Sequence, residues 1–494
     1  MLIAIDIGTT NIKAGLFEDD GTCITTTSRQ TKYETHNEGF TYIDAQSLWD
    51  TLAQLIKEVI GLSGTGRVRA VSITSMAESG LLLNRNAGIP ATEIIPWFES
   101  SSIKQADFIN SEIDPFVQFC QTGLHMSYKY GLAKLLWLRN RDELLFHQPV
   151  VWLSVSSYIA FCLTGSIAEE QTLAARTFAY QIDWNKWDED LIRHFGFRTD
   201  LFPSVTHCLE PVGVVKQELS ELGLNSNTNV YIAGHDHVSS SLAAGIVSPG
   251  NVYNSMGTAE TLVGTFTKRK LTKADYDSGL SFGLHPTNDM FFWMGGHSSS
   301  GGSVEWMRDI LGDNRLTYAE INDYLETAED KPSGIIFYPY LTGSGAPNAN
   351  PHATAGFLGL KKNHSKTDLL KAVLEGNSFQ MELIREEAEK TTGIQMNKMS
   401  VIGGGVRNPH WIKIKANISG CELVLPDIIE AALCGAALIA ATGEGIFSSL
   451  EDAVAKTLIN YEKVVQPNIE INKNYRMIFE KQFKPLRQLV NKFQ

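Results

Sequence analysis

Asp6, Gly8, Thr9, Thr10 and Lys13 place a carboxylate, a glycine, two hydroxyls and an ammonium in one short stretch. Glycine lets backbone amides approach phosphate oxygens, threonine adds donors and Lys13 adds a point charge, so the stretch suits an anion. It matches no Walker loop, and a plain polar turn is the alternative reading. Gly257-Thr258 repeats the device far along the chain and could clamp the same phosphates from the other side.

Asp236 follows a strand-like run and precedes a helical one, which puts a carboxylate at the mouth of a sheet, where open α/β sheets bind ligands. It suits a general base; the competing reading is an N-cap for a helix expected at Ser239–Ile246. His235 and His237 flank it, but no further His, Cys or carboxylate nearby completes a metal set. Magnesium arriving with a nucleotide needs fewer ligands, and Asp6 with Asp236 would suffice. Gly403-Gly404-Gly405, three residues before Asn408, could admit a flat ring against bare backbone, or form an ordinary loop or cap. Trp97 sits where a sugar's carbon face could rest, whereas Trp137, Trp293 and Trp306 read as core.

The elements that must hold these groups follow from periodicity. Leu2–Ile7, Ile12–Phe17 and Cys23–Ser28 read as strands, Ser47–Leu62 as an amphipathic helix, and Ala70–Ser75 as a buried strand entering the loop Met76–Gly80. Leu81–Leu83 resumes strand, and Lys134–Leu138 and Ser154–Thr164 read as helices. In the second half, strands are expected at Asn229–Ala233, Asn251–Ser255, Glu260–Phe266 and Met399–Ile402, with a small-residue helix at Glu430–Thr442. Interleaved strands and helices indicate an α/β protein. The strand, Gly-Thr turn, strand device occurs twice at about half-chain spacing, which suggests either a duplication or two ordinary hairpins. Tyr475–Phe493 carries one apolar face and reads as a capping helix rather than a membrane or partner helix.

With 494 residues, two or three domains are expected. A formal net charge of -13 disfavours a nucleic-acid partner. The six cysteines form no C-x-x-C pair and read as reduced thiols. The N-terminus lacks a basic leader region, and the longest apolar stretch is far short of the roughly 20 residues a bilayer span needs. No membrane association and a cytoplasmic setting are expected.

The ordered set IDIGTTNIKAGLF, GHDHVSSSLAAGIVSPGNVYNSMGTAETL, PYLTGSGAPNANPHATAGFLGL, IGGGVRNPHWIKIKANISGCELVLP and EAALCGAAL resembles the FGGY carbohydrate kinases, within the sugar kinase, heat-shock 70 and actin superfamily. The resemblance implies two ribonuclease-H-like domains around a cleft, drawn at residues 1–245 for sugar and catalysis and 246–494 for nucleotide. It also implies ATP, magnesium and phosphoryl transfer to a sugar or polyol hydroxyl. In that reading Asp236 is the base, Asp6 and Asp236 meet magnesium, and Gly8, Thr9, Thr10 and Lys13 form the first phosphate hairpin. Gly257 and Thr258 form the second, Gly301 lies near the β-phosphate, and Gly404, Gly405 and Asn408 line the adenine pocket. Glu78, Trp97, Asp236 and Tyr128 or His237 would meet the acceptor.

This chain departs from the family on the acceptor side. Glu78 stands where xylulokinase members carry histidine, Phe98–Ser101 replace a common Asp and Arg, and Gly343-Ser344-Gly345 replaces a Gly-Glu-Arg. A bare carboxylate at Glu78 would favour neutral polyols and ketoses and repel sugar acids. Two rival outputs are a non-catalytic sugar sensor, which would have lost Asp236 or a hairpin, and an actin-like or chaperone-like ATPase, for which the length leaves no partner domain. A homodimer stays open.

Overall fold

In the computed structural model, which describes residues 1–494 except 63–66, 313, 429, 458–460 and 491–494, Leu2–Ile7 (β1) is buried at every position. That is what a strand covered on both faces requires. β1 pairs antiparallel with Asn11–Phe17 (β2), which pairs antiparallel with Cys23–Gln30 (β3). Ala45–Leu62 (α1) then buries Leu48, Leu52, Leu55 and Ile56 and returns the chain to Ala70–Ser75 (β4), parallel to β1. Asn229–His235 (β5) lies parallel to β4 and leads into Asp236–Ala243 (α2).

The second sheet repeats this plan. Val252–Met256 (β6), Glu260–Thr267 (β7) and Met290–His297 (β8) form the antiparallel trio. Ser300–Leu311 (α3) follows, and Lys398–Ile402 (β9) joins parallel to β6. Pro409–Ser419 (α4) then connects to Glu422–Pro426 (β10), parallel to β9. In both sheets the order is third, second, first, fourth, fifth. Matching order and matching directions settle the choice left open by the sequence: the hairpins belong to a duplicated unit.

Two expectations need correction. β5 runs on through His235, so α2 begins at Asp236, not at Ser239. The register shifts between Ile232 and Gly234, a bulge of the kind that re-aims a strand end. Gly234 adopts φ +89°, and a Cβ there would lie 2.4 Å from Thr172 Oγ1 and 2.5 Å from Glu170 Oε2.

The division at 245 also does not describe the packing of the whole second half. Ala431–Gly443 (α5) crosses back, and Leu433, Ala436 and Leu438 share a buried cluster with Leu2, Phe17 and Tyr231 of the first sheet. The Gly and Ala content allows the close approach: a Cβ on Gly435 would stand 1.8 Å from the Ser239 carbonyl oxygen of α2. Tyr461–Val465 then rejoins the second sheet. Ile469–Ile478 and the turns after it place Tyr475, Phe479 and Phe483 on Phe379, which is the capping role expected. The segment beyond residue 490 lies outside the described residues. Among these, no helix is long and apolar enough to cross a membrane, and all six cysteines are free.

Candidate active site

The first hairpin is held by its carbonyls. Gly8 N–H donates to Asn11 O at 3.0 Å, Thr31 Oγ1 to Gly8 O at 2.8 Å, Tyr33 Oη to Thr9 O at 2.6 Å and Thr31 N–H to Thr10 O at 2.9 Å. The second hairpin is clamped on the same plan. Gly257 N–H donates to Ala259 O at 3.0 Å, while Gly301 N–H and Gly302 N–H of α3 donate to Gly257 O and Thr258 O, each at 3.1 Å. With their acceptors engaged, both hairpins offer donors to an anion.

Gly301 earns its identity by close approach, since a Cβ there would lie 2.5 Å from the Gly257 carbonyl oxygen. Alanine in a helix is ordinarily favoured over glycine by about 1 kcal/mol. Gly301→Ala should nevertheless cost about 1–3 kcal/mol of local fit, seen as a roughly 5- to 150-fold weaker ATP affinity by calorimetry. Unchanged affinity would separate the helix from the phosphate site. Beneath this hairpin, the buried Glu260 carboxylate bonds Lys415 of α4 and Ser300 of α3, tying three elements together. Burial opposes its charge, but Lys415 and His297 together outweigh burial and hold the carboxyl at about 2.

Lys13 was expected on phosphate; its ammonium is instead paired with Glu430 at the entry to α5. Asn408 is likewise half committed, because its Oδ1 caps α4 by accepting from Trp411 N–H at 3.0 Å. Its amide donors remain for a ligand. Gly404 and Gly405 differ: a Cβ on Gly405 would meet Met256 Cβ at 2.9 Å, whereas one on Gly404 would stand in open space.

Asp236 opens α2 beside His235, whose Nε2 lies 3.2 Å from Asp236 Oδ1, and the same oxygen accepts from His237 N–H at 2.7 Å. Burial opposes the anion, but the His235 hydrogen bond and the two imidazoles outweigh it, so the carboxyl titrates below its usual range. Asp6, buried within electrostatic range, is pushed the other way, up to about 8, by burial first and by Asp236 second. The two carboxyls are thus shifted in opposite directions. Burial pushes the His237 imidazole below its usual range; its Nδ1 is 3.2 Å from Tyr253 Oη, which donates to His237 O at 2.7 Å.

On the acceptor side the loop after β4 holds Glu78 at φ +61°, a strained conformation for a non-glycine residue. Lys134 fixes that loop, donating to Glu78 O at 2.6 Å and Pro96 O at 2.9 Å. Burial lowers its ammonium to about 7. Glu78 is not the bare carboxylate expected. Arg176 Nε donates to Glu78 Oε1 at 2.6 Å and Nη2 pairs with the same oxygen, both side chains being nearly inaccessible. Burial opposes the Glu78 charge, and Arg176, with His235 and Lys129, more than offsets it, so the carboxyl titrates below its usual range. Removing the charge with Glu78→Gln should cost about 1.5–3 kcal/mol of stability, read from urea midpoints; an unchanged midpoint would mean the pair adds nothing to the fold.

Trp97 Nε1 donates to Thr9 Oγ1 at 2.9 Å, so the tryptophan expected to cradle sugar also touches the phosphate hairpin. The Lys129 ammonium lies over its ring, 4.9 Å from the centroid. Tyr128 is half-buried, and its carbonyl accepts from Ser102 Oγ at 2.8 Å. Arg176, Lys129, Lys134 and Tyr253 were not singled out from sequence, and His235 was noted there only as a metal ligand that was set aside. His235 carried a local signal by adjacency to Asp236; the other four carried none.

Two duplicated sheets, each with a Gly-Thr hairpin, and an aspartate at the end of one central strand are parts that phosphoryl transfer could use. The N-terminal domain of the FGGY family of carbohydrate kinases matches residues 1–243, and its C-terminal domain matches residues 252–444. This chain belongs to that family. It is 26% identical over 500 residues to the xylulose kinase of Staphylococcus epidermidis, covering 99% of this chain and 97% of that one. It is 26% identical over 460 residues to the glycerol kinase of Citrifermentans bemidjiense, covering 91% of each. The crystal structure of gluconate kinase from Lactobacillus acidophilus superposes with a TM-score of 0.92 at 21% identity, covering 100% of this chain and 98% of that one, a likeness of fold.

Proposed function

We propose that this chain transfers the γ-phosphoryl group of ATP to a hydroxyl of a small sugar or polyol, with Asp236 receiving the hydroxyl proton. The observation that supports this reading is Asp236 at the end of β5, its Oδ1 3.2 Å from His235 Nε2 and accepting from His237 N–H. Phosphoryl transfer asks for alignment and charge stabilisation more than covalent chemistry. The hairpin donors would hold the phosphates, Trp97 would join the acceptor pocket to the first hairpin through Thr9, and Lys134 would keep the Glu78 loop in place.

The donor set fits a magnesium ion. The Asp6 carboxyl is pushed up partly because Asp236 repels a second charge; Asp6 and Asp236 would hold the metal, whose charge would offset that repulsion. The metal would supply charge neutralisation on the phosphates. Gly404 leaves room for a flat ring, with the Asn408 amide as donor. Six free cysteines fit a cytoplasmic setting.

Coupled ADP release, screened over polyols, ketopentoses, 6-deoxyketoses, tetroses and sugar acids, tests the reading. Acceptor-dependent ADP formation is expected. Tight acceptor binding without ADP formation would favour the sugar sensor instead.

A further inference from the structure

Among the described residues, Asp236 receives two donors on Oδ1, from His235 and from His237 N–H, and none on Oδ2, although its side chain is 26% exposed. A carboxylate only accepts, so the His235 proton that points at it sits on Nε2. The other ring nitrogen agrees with this. Nδ1 is buried with no hydrogen-bond partner, and a buried N–H there would be left unsatisfied. The ring is 3% exposed and lies edge-on to Phe292, centroids 6.4 Å apart, which limits its rotation.

The backbone that carries His235 is held from behind. β5 is bulged between Ile232 and Gly234, and a bulge interrupts the ladder that would otherwise occupy its polar groups. Side-chain hydroxyls take over: Thr74 Oγ1 donates to Gly234 O at 2.8 Å, and His235 N–H donates to Thr172 Oγ1 at 3.0 Å. Thr172 Oγ1 in turn donates to Glu170 Oε2 at 2.5 Å, and the same oxygen accepts from Thr172 N–H and Leu173 N–H, capping the turn Gln171–Ala175. With its proton committed to Glu170, the buried Thr172 hydroxyl faces His235 as an acceptor. The same turn ends at Arg176, which pairs with Glu78. One short element therefore reaches both the base and the loop on the acceptor side.

We propose that Thr172 and His235 are positioning residues for Asp236, the chain from Glu170 through Thr172 to His235 holding Oδ1 so that Oδ2 faces the acceptor hydroxyl. This inference rests on the kinase reading above and adds the groups that orient its base. As the acceptor oxygen bonds to the γ-phosphorus, the bond from that phosphorus to the bridging oxygen of ADP breaks with its electron pair leaving on ADP, and the hydroxyl proton passes to Oδ2. A carboxylate without these anchors would rotate away from the hydroxyl for part of the time, so the anchors act on turnover more than on binding.

The test uses the full chain with magnesium, ATP and whichever acceptor gives the highest kcat/KM in the ADP-release screen. His235→Phe keeps a buried ring but removes the donor, and should lower kcat roughly 10- to 100-fold with KM for ATP little changed. His235→Gln, which restores a donor, should recover part of that loss. Thr172→Val should lower kcat in the same way, and Thr172→Ser should recover it. Because both residues act only through Asp236, adding His235→Phe to Asp236→Asn should slow the enzyme no further than Asp236→Asn alone, whereas a general defect of the fold would lower both backgrounds alike. A His235→Phe variant turning over at the wild-type rate, losses that multiply in the double variant, or a loss confined to KM for ATP overturns the inference and leaves the kinase reading standing. Where Thr172→Val does not fold, the His235 variants decide. Near-normal turnover of Asp236→Asn, or no ADP formation with any acceptor, would remove the base assignment and this inference with it.

Discussion

Asp236→Asn should lower turnover by about 10²- to 10⁴-fold while ATP binding, measured by calorimetry, persists. Asparagine preserves the shape and can still accept from His237 N–H, so the loss would report the missing proton acceptor and not a collapsed strand end. The depressed titration of Asp236 adds a pH condition. A base already ionised well below neutrality has no protonation step left to lose between pH 5 and 8, so wild-type kcat should show no acidic limb from Asp236 in that range. Near-normal turnover of the variant in a pure sample would reject Asp236 as the base. An acidic limb that vanished in the variant would show that it titrates higher than its surroundings imply.

The parts of this site written in adjacent residues were legible, and the parts made by distant contact were not. Both Gly-Thr turns were visible because a hairpin is specified by its own few residues, whereas their duplication stayed one of two readings until the two sheets matched. Asp236 was visible for the same reason. The start of its helix was misplaced because the bulge before Gly234 depends on Thr172 and Glu170, which are remote in sequence. Glu78 was identified, but its electrostatic character was misjudged: Arg176, the partner that reverses the argument, lies 98 residues away and carries no motif. Lys13 was read as a phosphate ligand because its partner Glu430 sits 417 residues on. Charge in a pocket is a sum over side chains from several elements, and a local reading supplies only one term of it.

Asp6→Asn should destroy activity and stabilise the ligand-free protein, a pairing that an ordinary structural aspartate would not give. Burial and Asp236 raise the Asp6 carboxyl from 3.8 to about 8, so between those values the folded state holds a proton that the unfolded state releases. Stability must then fall as pH rises through that window, with a slope of at most about 1.4 kcal/mol per pH unit. Asparagine stays neutral throughout and escapes the penalty. In EDTA, the urea midpoints of the two proteins should nearly coincide at pH 4 and diverge toward pH 8, the variant gaining as much as about 4 kcal/mol at pH 7. Its kcat with magnesium and ATP should meanwhile drop by about 10² or more, as expected when a carboxylate that neutralises and positions the metal is lost. On the proposed reading a cation would offset the cost of holding two carboxylates in one desolvated place, the stability–activity conflict typical of functional sites. A variant less stable than wild type at pH 8, or a difference that does not change with pH, would show that Asp6 is satisfied by the fold alone.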